Sequence, residues 1–519
     1  MADEALPAME SVRVAEVIAA LSLATDLGIG VPLEHGLQST LLAMRLADRL
    51  KVDAETATQT YYACQLFYVG CTANADVAAE LFGTDDALTT YASPTRFGSR
   101  IEMTAGFLRA IAPPGGAPIV RAGQLARGLP RVAKVFKHHI DAFCEVARML
   151  TDRLGLDPSA GALFNYVAER WDGKGEPGRA RGDEIPLPMR IVHVARDAAF
   201  QRMLGGVDHA ISVVRRRAGH AFDPDVVAAL ADAAVGFFAI DAASAWDETL
   251  ASEPRPHMFL EGESIDRALA TMGDFSDLIS PYFVGHSTGV AVLAMNAARG
   301  CRFDVADLTT IRRAALIHDI GRVAVPARIW QQPGPLTPDD WEKVRLHAYQ
   351  TERILHRSPF LAVLAGVAAT HHERCDGSGY HRGTAAPGLT PQARLLAAAD
   401  TYQTKIEARP YREPLTPEQA AETLSSEVHA GRLDAVAVRA VLEAVGQRNP
   451  RIERPAGLTQ RETDVVGLLA RGLQTKQIAR ALGISVKTAD NHIQNAYAKI
   501  GVSTRAAAAL FAMQHGLLP

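Results

Sequence analysis

A chain of 519 residues is long enough for three domains of ordinary size, each able to bury its own core. Its 48% apolar and 22% charged residues exclude a disordered, collagen-like or fibrous polymer, and no run approaches the length of an apolar membrane span. The net charge of −4 is uneven: residues 451–519 carry nine Lys or Arg against four Asp or Glu, a balance of +5 that leaves −9 for the rest and points to a polyanion partner for the tail alone. The start, Met1-Ala-Asp-Glu-Ala, lacks the basic and apolar regions of a secretory leader. Five scattered cysteines with no CxxC pair exclude a disulfide framework and suit a reducing cytoplasm.

Apolar residues recur at three and four along almost every periodic segment, which predicts an all-α protein. Helices are expected over 40–50, 142–154, 223–234, 287–298 and 418–428. Turn clusters break them at 113–116, 172–178, 332–335 and 376–379. Two proline-bearing stretches without periodicity, 251–257 and 449–456, divide the chain into domains at 1–250, 260–448 and 457–519.

The first two blocks repeat each other in order. His35 precedes Leu42-Ala-Met44 as His286 precedes Leu293-Ala-Met295. Glu169-Arg-Trp-Asp-Gly-Lys-Gly175 returns as Glu373-Arg-Cys-Asp-Gly-Ser-Gly379, and the segment ending at Asp197 resembles the one ending at Asp400. Three ordered matches predict a duplication.

The second block gathers His286, His318-Asp319, His347, His371-His372 and Asp400. Imidazole and carboxylate with no thiolate suit Fe, Mn or Zn, and a carboxylate can bridge two ions that polarise a phosphate. Leu316-Ile-His-Asp-Ile-Gly-Arg322, His371-His-Glu-Arg-Cys-Asp-Gly-Ser-Gly-Tyr-His381, Ala393-Arg-Leu-Leu-Ala-Ala-Ala-Asp400 and Arg409-Pro-Tyr-Arg412 resemble the HD-GYP family, HD-domain phosphohydrolases that cleave cyclic di-guanylate. The resemblance spans about 260–440. It implies two divalent metal ions, Fe or Mn: one held by His286, His318, Asp319 and Asp400, the other by the bridging Asp319 with His347, His371 and His372. Asp319 and Arg322 would be catalytic, and Arg409 and Arg412 would contact substrate phosphates. Three positions depart from the family. Tyr282 stands where some members carry a glutamate for a third metal. Arg322 replaces a lysine, so a leaving oxyanion can be stabilised but not protonated. His381 replaces the proline of GYP.

The first block lacks this set. Phe67-Tyr68 stand where the repeat places His318-Asp319, Cys71 where it places Arg322, and Val167-Ala168 where it places His371-His372. The expected architecture is therefore two tandem HD-type helical bundles, the first degenerate. His138-His139 are expected on a solvated helix face rather than at a metal.

From Leu458 onward the signals are local. Thr459 with Glu462 forms a capping box, Gly483-Ile-Ser485 a tight turn with Ser485 as cap, Gly501 a stop, and Ser503 the cap of a last helix. Leu458-Thr-Gln-Arg-Glu462, Gln477-Ile-Ala-Arg-Ala-Leu482, Ile484-Ser-Val-Lys-Thr488 and Lys499-Ile-Gly-Val-Ser503 resemble the LuxR-type (NarL/FixJ-type) helix-turn-helix, a four-helix DNA-binding domain. The resemblance implies double-stranded DNA as partner, with the third helix in the major groove. Lys487, Asn491, Gln494 and Asn495 would read base edges, and Lys476, Thr488, His492 and Lys499 would hold phosphates. It also implies a homodimer formed through Ala507, Leu510 and Met513 of the last helix.

The expected function is a cytoplasmic bacterial transcription regulator carrying a metal-dependent phosphohydrolase, with cyclic di-guanylate or another phosphodiester as ligand and no membrane partner. A second reading stays open on the residues: an HD domain that senses a ligand or metal without turnover and controls the DNA reader.

Overall fold

Ser or Thr followed by proline opens four successive helices in the second half of the chain: Pro338–Leu355, Pro359–Ala368, Pro391–Ile406 and Pro417–His429. Thr337, Ser358, Thr390 and Thr416 each accept from the amide three residues on, while proline takes the first helical position, where no donor is needed. The computed structural model describes residues 11–75, 82, 87–115, 117–240, 245–301, 303–446, 455–515 and 517–518, the side chains of 74, 131–139 and 234–235 excepted. It divides into two compact units, 1–264 and 265–519. No helix among the described residues is long and apolar enough to cross a membrane.

The first unit is built around helix Val14–Ile29, which is apolar on nearly every side and buried from Val14 to Asp26 save Glu16. Helix His35–Arg49 packs between Ala54–Gln65 and the long Leu187–Arg217. The latter breaks at Gly205-Gly206, where Gly206 takes a φ of 81°. The unit also holds an element the all-α expectation did not include. Ser11–Arg13 pairs antiparallel with Phe259–Glu261, Val12 opposite Leu260. Each strand has only three residues, too short to show a period. Arg13 adds a 3.1 Å bond from Nε to the buried Glu253, whose other oxygen accepts from Tyr62 at 2.6 Å. The stretch 251–257, expected as a linker, thus anchors the chain's return to its first described residues. The second expected linker falls largely on 447–454, outside the described residues.

In the second unit, helix His286–Gly300 packs against Val305–Ile317, Pro391–Ile406 and Ala435–Val445. The segment from Gln460 forms four helices, Gln460–Ala470, Thr475–Leu482, Val486–Ile500 and Arg505–Gln514. Thr459 and Glu462 make the capping box, and Ser485 caps the third helix by accepting from Thr488 N. The last cap is Thr504 rather than Ser503, its hydroxyl accepting from Ala507 N. A second correction concerns the proposed dimer face. Ala507, Leu510 and Met513 are buried, as is every residue from Ala506 to Met513.

Candidate metal centre and nucleic-acid interface

Helix ends deliver the histidines. His286 is the first residue of its helix, while His318 follows Val305–Ile317 and leads directly into Asp319. His347 lies within Pro338–Leu355, and His371 follows Pro359–Ala368 by three residues. Three of the rings donate Nδ1–H to the carbonyl three residues back: His318 to Ala315 at 2.7 Å, His371 to Ala368 at 2.7 Å, and His347 to Val344. That donation fixes the tautomer and turns each Nε2 inward as an electron pair. His286 instead donates Nδ1–H to Glu407 at 2.9 Å.

The inward nitrogens converge on the two oxygens of Asp319 from opposite sides. Oδ2 lies 3.4 Å from His286 Nε2 and 3.0 Å from His318 Nε2. Oδ1 lies 3.2 Å from His347 Nε2 and 3.3 Å from His371 Nε2. Asp400 joins both halves, its Oδ1 3.2 Å from His286 Nε2 and its Oδ2 3.6 Å from His372 Nδ1. Two groups could each hold a cation: His286, His318 and Asp319, and Asp319, His347, His371 and His372. Six of these seven residues are buried and His372 is nearly so, yet His286 Nε2, His318 Nε2, Asp319 Oδ1 and His372 Nδ1 have no hydrogen-bond partner. Buried polar atoms are ordinarily paired. A cluster of lone pairs aimed at one another and left unpaired fits metal ions.

The carboxylates, His371 and His372 carry the charge states that ligation needs. Burial alone would raise Asp319, but the Arg322 guanidinium and the His318 and His286 rings outweigh it and hold its carboxyl well below the usual range. Asp400 is likewise held low against its burial, chiefly by His286 and His372. Burial lowers His371 to about 4, and burial with His371 beside it lowers His372 further, so both rings are neutral and able to ligate.

In the last segment, the predicted DNA-contacting residues fall on one side of Val486–Ile500. Lys487, Asn491, Gln494 and Asn495 are exposed and stand at i, i+4, i+7 and i+8. Ala489, Ile493 and Ala496 are buried on the opposite side, Ala489 and Ile493 packing with Val465, Leu469, Ile478 and Ala479. Thr488, half-buried His492 and Lys499 lie on the flank, and Lys476 is exposed on the preceding helix.

Residues 269–436 match the family described as HD domain, and residues 456–512 match the bacterial regulatory proteins of the luxR family. The chain joins an HD domain to a LuxR-type DNA-binding domain. A 3'3'-cGAMP-specific phosphodiesterase of Vibrio cholerae is 28% identical over 81% of this chain and 92% of its own length. A cyclic di-GMP phosphodiesterase of Thermotoga maritima is 37% identical over 27% of this chain, which spans 39% of that relative. The crystal structure of a cyclic GMP-AMP-specific phosphodiesterase of V. cholerae superposes with a TM-score of 0.58 at 24% identity, covering 85% of this chain and 99% of that one, and so shares its fold. HD-domain phosphodiesterases depend on metal, and the HD domain here holds His/Asp clusters that could bind it.

Around these clusters the HD domain engages residues that sequence reasoning placed differently or missed. Arg322 is buried, its guanidinium paired with Asp319, 3.5 Å from Asp277 and stacked 3.9 Å over the Phe283 ring. Arg409 donates to Tyr282 O at 2.7 Å and to Glu407 at 2.9 Å. Arg412 is turned to the backbone carbonyls of Thr404 and Lys405, both at 2.7 Å. Its guanidinium therefore ties down the end of helix Pro391–Ile406. His381 sits 3.3 Å from Glu352, and Glu373 pins the same loop by accepting from Arg382 N and Thr384 N. In the LuxR-type domain, Lys499 bonds Glu462 at 2.6 Å, so its charge closes the capping box. Glu407 and Asp277 went unnoticed in the sequence. Asp277 accepts from Ser287 N at 2.8 Å, the amide just inside the His286 helix. Asp26 stands at the same offset from His35 and accepts from Gly36 N at 3.0 Å, a signal in the repeat that could have exposed Asp277.

The first unit places different chemistry at the positions that the sequence repeat pairs with this site. His35 is buried at the start of its helix, and burial lowers it to about 3. The ring pair Phe67-Tyr68 is flanked by two guanidiniums, Arg196 at 4.5 Å from the Tyr68 ring and Arg96 at 5.3 Å from the Phe67 ring. Asp197 is closed by Arg217, both oxygens accepting at 2.6 Å. The Asp-Gly turns match: Gly173 and Gly377 take φ of 70° and 80°, and Asp172 and Asp376 each accept from the amide two residues on. The His138-His139 pair lies outside the described side chains.

Proposed function

We propose that the HD domain is a metal-dependent phosphodiesterase acting on a cyclic dinucleotide, carried on the same chain as the DNA reader it informs. The observation that carries this reading is the Asp319 carboxylate, whose two oxygens face two separate pairs of imidazole nitrogens, His286 Nε2 and His318 Nε2 of the first pair having no hydrogen-bond partner. Two divalent ions, Fe or Mn, held by His286, His318, Asp319 and Asp400 and by Asp319, His347, His371 and His372, would supply Lewis-acid polarisation of the phosphate and acidify the attacking water. Asp319 joins the two halves. The backbone carbonyls behind His318, His347 and His371 keep those rings in the ligating tautomer. Arg322, held by its stack on Phe283, presents a fixed positive charge to a leaving oxyanion, and Arg409 reaches a phosphate by exchanging its bond to Glu407. Arg412 supports this wall from behind.

On this reading the chain has domains at 1–250, 260–448 and 457–519, and the first is a degenerate copy of the second. The shared turns, the shared Asp26 and Asp277 bonds and the loss of every ligand but His35 and Asp197 support that assignment. Lys487, Asn491, Gln494 and Asn495 read bases and Lys476, Thr488 and His492 hold phosphates of duplex DNA, with the cytoplasm as the site of action. A homodimer fits the two-fold half-sites such readers bind.

A sensing reading is favoured by one observation: the Arg322 guanidinium is paired directly with Asp319, and arginine cannot deliver a proton. The test is turnover by anaerobically purified protein supplied with Fe²⁺ or Mn²⁺ and offered cyclic di-guanylate, 3'3'-cGAMP and a generic phosphodiester. Hydrolysis that disappears in Asp319→Asn establishes the enzyme. Metal uptake with no hydrolysis of any of the three leaves the sensor.

A further inference from the structure

A helix packed on a single neighbour keeps a solvent face. Helix Arg505–Gln514 packs mainly on Gln460–Ala470 and lightly on Val486–Ile500, yet all eight residues from Ala506 to Met513 are buried, so it is covered on more than one side. The surroundings that the LuxR-type domain meets in its own unit are specific. Leu518 reaches the backbone of Gly285 so closely that a Cβ there would collide with its Cδ1. A Cβ on Gly472 would lie 2.7 Å from Pro281 Cβ. Arg505 donates to Gly472 O at 2.6 Å, bracing that contact from within the reader. Arg471, next to Gly472, lies within the electrostatic reach of Glu407.

Each of these partners borders a metal ligand. Gly285, with a φ of 81°, is the N-cap of the helix that begins with His286. Pro281 lies in the same loop, as does Phe283, which stacks on Arg322. Glu407 holds His286 Nδ1 and is itself held by Gln403 at 2.8 Å and Arg409 at 2.9 Å. The opposite side of the reader, with Lys487, Asn491, Gln494 and Asn495, stays exposed in this arrangement.

We propose that the loop 278–285 and Glu407 form a docking seat for the chain's own DNA reader, so that metal occupancy at His286 and docking of helix Arg505–Gln514 stabilise each other. The proposal rests on the metal-binding part of the reading above and not on turnover. An ion on His286 Nε2 would fix the ring, its Glu407 partner and the Gly285 cap; Leu518 meets that cap, and Glu407 lies within electrostatic reach of Arg471. Loss of the ion loosens them and releases the last helix for other partners. By linkage, the factor by which metal strengthens docking equals the factor by which docking strengthens metal binding.

The test uses the full chain with Mn²⁺ as the probe. Hydrogen exchange of residues 505–514 is followed with and without Mn²⁺ in the wild type, in Leu518→Ser and in Arg471→Glu, and the Mn²⁺ Kd of each is measured by calorimetry. Neither substituted residue is a proposed metal ligand or DNA contact, and the two act by different chemistry, so a folding defect in one leaves the other. The expected result is slowing by Mn²⁺ of about fivefold or more in the wild type, a smaller effect in both variants, and a Mn²⁺ Kd weakened by a similar factor in each. Exchange at 505–514 indifferent to Mn²⁺ in the wild type, or a Mn²⁺ Kd unchanged in both variants, overturns it. A chain that docks in this way yet hydrolyses nothing refutes the enzymatic reading alone.

Discussion

The second unit gathers imidazoles around carboxylates, whereas the first gathers guanidiniums around aromatic rings. In the second, a buried carboxylate at Asp319 gathers four imidazoles and leaves the inward nitrogens of His286 and His318 without hydrogen-bond partners. In the first, Phe67-Tyr68 take the central position and two guanidiniums flank the rings. A metal centre needs anions to balance added cations. Both units share local devices: the Asp-Gly turn, the acid that accepts from the first turn of the His helix, and a buried histidine at that helix's start. The difference teaches that the same backbone devices can frame quite different side-chain chemistry.

The sharpest way to break the comparison is at Asp319. Asp319→Asn should reduce metal content and bring phosphodiester turnover to background, whereas Asp197→Asn in the first unit should leave both unchanged; elemental analysis beside the assay reads the pair. Next is Glu407→Gln, which removes the acceptor for His286 Nδ1–H and should weaken metal affinity by about 10- to 100-fold, read by Mn²⁺ titration. The mirrored change in the first unit, Arg196→Ala, strips the guanidinium from the Tyr68 ring. It should lower stability by about 1–3 kcal/mol in thermal or urea unfolding while leaving the metal site intact.

Local signals made the DNA reader the most legible part of the sequence. Thr459, Glu462 and Ser485 act within a few residues of themselves, so their caps could be read directly. The last cap moved by one because Ser503 and Thr504 are adjacent hydroxyl residues of like capping chemistry, and it is Thr504 that accepts from Ala507 N. The histidines and aspartates that cluster around Asp319 were legible as a set through the family pattern, but their orientation was not, since it depends on carbonyls such as Ala315 and Ala368 that any residue could supply. The strand pair Ser11–Arg13 with Phe259–Glu261 joins three-residue segments far apart in the chain, and nothing local announces it. The family resemblances imply phosphate contacts for Lys499 and Arg412; in the structure Lys499 bonds Glu462 and Arg412 bonds backbone carbonyls. Burial of Ala507, Leu510 and Met513 depends on what surrounds the last helix and could not be read from its alanines.

Smaller effects sharpen the account of the reader. Lys487→Ala and Asn491→Ala should reduce affinity for a selected duplex by about 1–3 kcal/mol, whereas Lys476→Ala should weaken binding to all duplexes alike and reduce the salt slope by about one; fluorescence anisotropy across salt concentrations separates them. The smallest concerns Glu462, which the Lys499 ammonium and then the Thr459 amide lower to about 2. A depressed folded-state value means stability that is present above the unfolded carboxylate value and is lost as pH falls towards 2. Glu462→Gln should flatten that acid limb in the unfolding of the reader, followed by circular dichroism from pH 5 to 2.

The measurement closest to the central claim is the metal stoichiometry of the full chain after loading with Mn²⁺ and desalting, for wild type and Asp319→Asn side by side. One bridged centre in the second unit and none in the first predicts two ions per chain, lost or reduced to a single weakly held ion when the carboxylate is neutralised. Four ions, or two that survive in Asp319→Asn, would place metal outside the cluster and contradict the account.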